Sequence, residues 1–367
     1  MCGTCARCSS GSRHSPSSTR CSGRSALVAS SARRSGMGES LAVIGMESAV
    51  LAFVLVGLVR QLAVRHGVLD HPTERSSHVS ATPRGGGLGL LLAALSMSVW
   101  RVVRPSDWPV TLLLVGTALV AVVGWVDDRR GLGVRTRLGV HVATAMFVGA
   151  VAAAQGAPMI VRVLLFTWWT FWAVSSVNLV NFMDGINGLV ASQIAIFAFS
   201  LALFSSSAAT VPVLGVVLGA ACVGFLPWNV PRARIFLGDV GSGGLGYLVP
   251  VLALLAARSS DVDIVRAHLP LVPLYGDATW TILRRWRNGE RLTEAHRSHL
   301  YQRLANGGMG HTAVTLLYAT AALAGALAAH AAGPWGASPW TVAYALSTLL
   351  VGYWLHRRAS RSAAAVS

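Results

Sequence analysis

From about residue 41 onward the chain alternates between long apolar runs and short polar links. An apolar run of about 20 residues, coiled as a helix, crosses the hydrocarbon of a bilayer. The pattern predicts spans near 41–63, 86–103, 109–126, 138–155, 160–178, 189–206, 211–228, 242–257, 264–282, 312–332 and 339–356. That is about eleven transmembrane helices, of which the fifth and ninth are the most interrupted. The expected fold class is therefore all-α, a polytopic integral membrane protein. Residues 1 to about 40 carry Ser, Arg, Gly and Cys without apolar periodicity. They are expected to be a disordered tail, or a mis-assigned start upstream of Met37 or Met46. Residues 41–358 form the expected membrane-embedded domain and 359–367 a short tail. No internal repeat is evident, which weighs against an inverted-repeat transporter.

Composition agrees with this pattern. Of 367 residues, 53% are hydrophobic and 12% charged, and the net charge is +16. A soluble domain carries about 25% charged residues. Every basic group is arginine, whose planar fork suits phosphate. In a membrane protein such a balance orients helices, or attracts anionic lipid or anionic substrate; no nucleic-acid partner is expected. Cys2, Cys5 and Cys8, with Cys21 beyond them, have metal-like spacing but no folded module around them, and no disulfide framework is implied.

Arginine also orients the helices. One set of links carries Arg65, Arg75 and Arg84, then Arg129, Arg130, Arg135 and Arg137, then Arg232 and Arg234. Arg284, Arg285, Arg287, Arg291, Arg297, Arg303, Arg357, Arg358 and Arg361 fall on the same side. The positive-inside rule makes that side cytoplasmic. All the links with polar motifs lie there, so the expected arrangement is a plasma (inner) membrane protein with cytoplasmic active-site loops.

Five motifs carry candidate chemistry. The first link runs from Asp70 to Gly87, with Pro72 and Pro83 holding it extended and three glycines opening the next helix. Glycine backbone at a helix start, with Arg84 beside it, reads either as an anion site or as a flexible turn. Gly124-Trp-Val-Asp-Asp-Arg-Arg-Gly-Leu132 places Asp127 and Asp128 at the end of an apolar run. Adjacent carboxylates hold a divalent metal or accept a proton; the alternative is a surface turn paired with Arg129 and Arg130. Asn178-Leu-Val-Asn-Phe-Met-Asp-Gly-Ile-Asn-Gly-Leu189 spaces Asn178, Asn181, Asp184 and Asn187 three apart. On a helix that spacing would set all four along one pocket wall. Phe236-Leu-Gly-Asp-Val-Gly-Ser-Gly-Gly-Leu-Gly246 reads as a glycine- and serine-rich turn with Asp239 as a metal acid or an N-cap. Asp277, near the end of the ninth span, is either structural or close to the site. The link Arg284–Leu304 offers His296, Arg297, His299 and Arg303 to one ligand; His296 and His299 alone are weak as a zinc site, and interfacial arginines would bind lipid headgroups in any case.

Taken in order, these five motifs resemble the polyprenyl-phosphate N-acetylhexosamine-1-phosphate transferase family (glycosyltransferase family 4). The resemblance runs from about Asp70 to about His311. The wording of Glu74-Arg-Ser-Ser-His78 and of His296–Leu304 looks most like the O-antigen-initiating undecaprenyl-phosphate branch. The resemblance implies a reaction in which a polyprenyl phosphate, undecaprenyl phosphate in that branch, attacks a UDP-N-acetyl sugar and UMP leaves. It implies Mg2+, with Mn2+ as the alternative. Asp239 matches the family's metal acid and Asn181 a polar group near that metal. Asp127, Asp128 and Asp184 match the acids assigned to metal, proton or nucleotide sugar. His78, Arg84, Asn178, Asn187, His296, Arg297 and His299 fall in the substrate-binding motifs. Asn187 stands where many bacterial members have a second Asp, and Tyr301-Gln302 replaces a histidine pair seen in other branches, so neither their proton carrier nor their sugar preference transfers. A homodimer is common in such bundles, and Gly215-Val-Val-Leu-Gly219 would allow close helix contact in a dimer or inside one chain. The alternative from another class is a transporter or flippase for lipid-linked or anionic solutes. It expects ionisable groups at mid-membrane, of which the sequence has few.

Overall fold

The computed structural model describes residues 19–70, 81–103, 107–205, 210–259, 262–292, 294, 296–332 and 338–364; of 19–39, 340 and 359–364 it describes the backbone alone. Contacts divide the chain into Met1–Val43 and Ile44–Ser367. In the first unit the described part is helix from Thr19. The second unit carries the rest of the fold.

The helices are α1 (Thr19–Arg65), α2 (Gly86–Arg101), α3 (Trp108–Arg130), α4 (Val134–Ala153), α5 (Met159–Phe182), α6 (Leu189–Phe204) and α7 (Thr210–Asn229). They continue as α8 (Gly238–Arg258), α9 (Ile264–His268), α10 (Val272–Arg287), α11 (Leu300–Leu304), α12 (His311–Ala331) and α13 (Pro339–Ala364). Two short strands, β1 (Leu69–Asp70) and β2 (Thr82–Pro83), pair antiparallel and close the first link. Among the described residues, seven helices are long and apolar enough to cross a membrane: Ser40–Arg65 within α1, and α3, α4, α5, α7, α8 and α12. The apolar helices α2 and α6 are shorter. The chain is thus an all-α polytopic membrane protein. The interrupted ninth run is broken into α9, a tight turn at Leu269–Leu271, and α10. Pro270 and Pro273 explain the break, since each removes a backbone donor from a helical turn.

Large apolar side chains point outward along this bundle. Leu164 and Phe171 on α5 are 62% and 63% exposed, and Leu350 on α13 is 66% exposed. In water such a belt would be a liability, whereas hydrocarbon solvates it.

The core is organised around α8, which is buried along nearly its whole length and packs on α2, α3 and α5. Its glycines were expected to form a turn, but the segment is helical from Gly238 onward. The glycines instead let other backbones approach. A Cβ on Gly124 of α3 would lie 2.4 Å from the Asp239 carbonyl oxygen, and one on Gly246 would lie 2.8 Å from Val177 Cα of α5. The triple glycine of the first link serves the same end. Gly86 and Gly87 donate their N–H groups to the Phe236 and Leu237 carbonyls, both at 2.8 Å, so they do not cradle an anion. A Cβ on Gly87 would sit 2.1 Å from Gly241 Cα, which leaves no side chain free to move aside. Gly87→Ala should therefore cost roughly 1–3 kcal/mol or more. Thermal unfolding in detergent would read it as a lowered midpoint; an unchanged midpoint would mean that α2 and α8 separate without penalty. Gly215 and Gly219 also pack within the chain, against Ala198 and Phe199 of α6.

Candidate active site

The link between α5 and α6 forms one wall of the site. α5 ends at Phe182, and Gly188 enters α6 with φ +76, a backbone region that favours glycine. Asn229, at the end of α7, fixes this turn: its Oδ1 accepts from Gly188 N–H and its Nδ2 donates to the Ile235 carbonyl at 2.9 Å. Asn187 donates from Nδ2 to the Pro231 carbonyl at 3.0 Å. The expected four-residue stripe is thereby split. Asn181, Asp184 and Asn187 line one cavity of about 310 Å3. Asn178 does not line it; its amide donates to the Val174 carbonyl one turn earlier, at 2.7 Å. The reason is that the helix stops at Phe182, so Asp184 and Asn187 reach the cavity from a turn rather than from a helical face.

The opposite wall is the start of α8. Asp239 lies in the first turn, and the N-cap position is Leu237, so Asp239 is not the cap. The cap comes from α3. Asp128 accepts from the N–H groups of Asp239 (2.9 Å) and Val240 (3.1 Å), and pairs with Arg84 Nε at 2.8 Å. Its side chain is 2% exposed. Both oxygens are thus committed to the protein. Asp127 accepts from Leu132 N–H and from Arg137 Nη1 at 2.7 Å. The expected alternative partners, Arg129 and Arg130, are not the ones used; Arg129 lies over the Trp125 ring. Asp239 is reached by Arg84 Nη2 at 3.4 Å and by Arg137 Nη1 at 3.8 Å, and its carboxyl shares a hydrogen bond with Asp127.

Asp184 sits half-buried across from this pair. Burial, then the charge of Asp239, push its carboxyl up to about 7, against the pull of Arg84. Arg84 and Arg137 are the guanidiniums that pair with the acids Asp127, Asp128 and Asp239 among the described residues. Two carboxyls in hydrogen-bond contact must share a proton or yield to a cation. The donor set suits a hard divalent ion, since Asp239 and Asp184 line one cavity together with Asn181, whose Oδ1 accepts from Ser242 Oγ at 2.7 Å and keeps a second lone pair. Among the described residues no three acids or histidines form a ready-made metal cage. Magnesium commonly takes only one or two carboxylates, with phosphates and waters completing its shell, so the residues present fit it.

The last link closes the cavity. Asp277 is structural: its oxygens accept from the N–H groups of Leu300 (2.7 Å) and Tyr301 (3.0 Å), and from Tyr318 Oη at 2.7 Å. Tyr301 then donates to the Phe182 carbonyl at 3.0 Å, pinning α11 to the end of α5. This anchoring brings Arg297, Gln302 and Asn306 onto the cavity wall. Arg297 Nη2 is buried and has no hydrogen-bond partner. A buried donor left unpaired is costly, which makes it a position for an anion.

His299 does not reach the cavity. It is 2% exposed, stacked between Phe182 and Tyr301. Burial, then the neighbouring His296 and Arg285, push its imidazole down to about 3, so it is neutral. His296 also lies off the cavity wall, with Nδ1 2.9 Å from Ser298 Oγ. His78 lies outside the described residues. Four polar residues of the cavity wall were not among the sequence candidates: Asp70, Asn229, Gln302 and Asn306. Asp70 opens the first motif and Gln302 belongs to the last, so both were within reach. Asn229 had no signal beyond being a lone amide at the end of an apolar run.

The links of this bundle bring carboxylates, carboxamides and guanidiniums to one cavity, the polar lining of a membrane protein with a charged ligand site. The model of the family described as "Glycosyl transferase family 4" matches residues 110–257. A decaprenyl-phosphate N-acetylglucosaminephosphotransferase of Mycobacterium leprae is 30% identical over 325 residues, covering 76% of this chain and 80% of the relative. An undecaprenyl-phosphate alpha-N-acetylglucosaminyl 1-phosphate transferase of Thermotoga maritima is 28% identical over 263 residues, covering 70% and 81%. A phospho-N-acetylmuramoyl-pentapeptide-transferase of a Synechococcus strain is 30% identical over 241 residues, covering 59% and 67%. The chain belongs to glycosyl transferase family 4. Its relatives there are polyprenyl-phosphate sugar-1-phosphate transferases.

Proposed function

We propose that the chain transfers an N-acetylhexosamine 1-phosphate from a UDP-sugar to undecaprenyl phosphate or another polyprenyl phosphate, releasing UMP and starting a cell-envelope polysaccharide of the O-antigen type. The observation that carries this reading is the unpaired Arg297 guanidinium facing Asp184, Asp239 and Asn181 across one cavity. An oxygen of the lipid phosphate attacks the sugar-bearing phosphorus of the donor, and the bond from that phosphorus to the UMP oxygen breaks. A phosphate monoester is largely ionised near neutral pH, with a second pKa of about 6, so no strong base is required. When bound, Mg2+ (or Mn2+) would offset the repulsion between two phosphate-bearing anions. Asp239, Asp184 and the Asn181 carboxamide would hold it. Arg297 would take a donor phosphate, and Gln302, Asn306 and Asn187 would hydrogen-bond the donor. Arg84 would keep Asp128 and Asp239 in register. The arginine asymmetry supports a plasma-membrane placement with this cavity on the cytoplasmic side.

The test uses purified protein, a polyprenyl phosphate, Mg2+ and a panel of UDP-N-acetyl sugars. UDP-N-acetylglucosamine comes first, because the sugar appears in the names of two of the relatives. UMP should appear in step with a lipid-linked sugar diphosphate. No UMP with any sugar, together with flux of labelled substrate into proteoliposomes, would favour a transporter instead.

The acid cluster gives a pH signature. Asp184 keeps its proton up to about pH 7, and a bound cation needs the carboxylate. Mg2+ affinity should therefore fall as pH drops below about 7, by up to roughly tenfold per unit, and level off above it. Calorimetry in buffers of different ionisation enthalpy should show protons released on ion binding near pH 6 and almost none near pH 8.5. Proton release that is the same at both pH values would remove Asp184 from the ion's surroundings.

A further inference from the structure

Tyr301 is 1% exposed and is not part of the lining of the Asp184 cavity. Its hydroxyl is nonetheless where two sides of that cavity meet. One side is the turn after α5, with Asn181, Asp184 and Gly185; the other is the last link, with Arg297, Gln302 and Asn306. From the last link, Tyr301 Oη donates to the Phe182 carbonyl at 3.0 Å. That carbonyl stands at the end of α5, where helix oxygens lack partners within the helix. The same hydroxyl fills the space beside Gly185. A Cβ there would lie 2.2 Å from Tyr301 Oη and 3.0 Å from its Cε2 and Cζ. Gly185 is outside the left-handed backbone region, so its conformation does not call for glycine; the room it leaves for the phenol does. The backbone of Tyr301 is fixed as well, its N–H donating to Asp277 of α10 at 3.0 Å. Burial, then the charges of Asp277 and Asp184, hold the phenol above its ordinary range, so it keeps its proton and stays a donor.

We infer, resting on the transferase reading, that Tyr301 is a positioning residue whose hydroxyl, seated against Gly185, sets the spacing between the ion side and the donor side of the cavity. A phenol side chain has few rotatable bonds and serves as a rigid spacer. With its N–H on Asp277 and its Oη on Phe182, it fixes the distance from α10 to the end of α5 at the length of one tyrosine. Under that reading Mg2+ is held without the last link, whereas a UDP-sugar spans both sides. The spacing therefore governs a ligand that bridges the two sides and leaves one that does not bridge them unaffected. Tyr301 touches no reacting atom; it acts through the Asp184 turn and the Arg297 link.

A double-mutant cycle on the full chain in detergent tests this, with UMP release and Mg2+ calorimetry as its two readouts. Tyr301→Phe should lower kcat for UMP release by about 10- to 100-fold, the scale of a misplacement of about 1 Å, and leave Mg2+ affinity as in wild type. Gly185→Ala should do the same, because its Cβ meets the phenol oxygen. Joined in one chain, the two changes should cost no more than the worse of them alone, since both act on a single contact. A Gly185→Ala chain that folds only together with Tyr301→Phe would show the same coupling. Losses that multiply would overturn the inference, as would Mg2+ affinity falling in step with kcat in Tyr301→Phe. A merely structural tyrosine would lower the thermal midpoint and leave kcat of the folded protein unchanged, which would also overturn it. No UMP from wild type with any sugar would defeat the transferase reading and this inference with it, whereas wild-type turnover with an unchanged kcat in Tyr301→Phe would defeat the inference alone.

Discussion

Asp239→Asn should stop turnover and leave the bundle standing. The start of α8 does not depend on this side chain, because the N–H groups of Asp239 and Val240 are held by Asp128. What the Asp239 carboxylate contributes is charge, facing Arg84 and Arg137 and touching Asp127. Loss of one preorganised electrostatic group at a reacting phosphate costs about 10²–10³ in rate. UMP release should fall at least that far, while the thermal midpoint in detergent stays near wild type. A second consequence carries a definite sign. The Asp239 charge is one of the causes that hold the Asp184 carboxyl up to about 7. Removing it should lower that pKa, so proton release on Mg2+ binding should move to lower pH. Full activity in the variant would remove Asp239 from the chemistry.

Asp128→Asn should behave differently, although its neighbour Asp127 looks equivalent in sequence. Asp128 uses both oxygens as acceptors for two backbone N–H groups and also pairs with Arg84. An amide supplies one acceptor oxygen and turns an NH2 toward a donor. Leaving buried hydrogen-bonding groups unsatisfied costs roughly 1–3 kcal/mol. The variant should lose stability first, and activity as a result of it. Unfolding in mixed micelles would read the loss directly. An unchanged midpoint with abolished turnover would instead make Asp128 a reacting acid.

These paired outcomes separate two carboxylates that the chain presents as a doublet. The sequence pattern marks Asp127 and Asp128 as exceptional because acids at a helix C-terminus oppose the helix dipole. It does not say which one faces a ligand. That depends on where the start of α8, 110 residues later, meets α3, and Gly124 sets that approach. The same holds for the last link. Its histidines and Arg297 read alike as donors, yet the Asp277 anchor turns His299 into the stack with Phe182 and Tyr301 and leaves Arg297 on the cavity wall.

Hydropathy and arginine distribution alone determined that this is a helical membrane protein whose polar links share one side. Spans, links and motif order follow from local composition, because hydrocarbon permits few solutions for a buried backbone. Only the tertiary structure decided which polar atoms are already satisfied. Asn178 is satisfied within its own helix, Asp128 by the start of α8 and Asp277 by Leu300 and Tyr301. Hydrogen-bond partners distant in sequence leave no local trace, so a committed carboxylate and a free one look the same until the helices are packed.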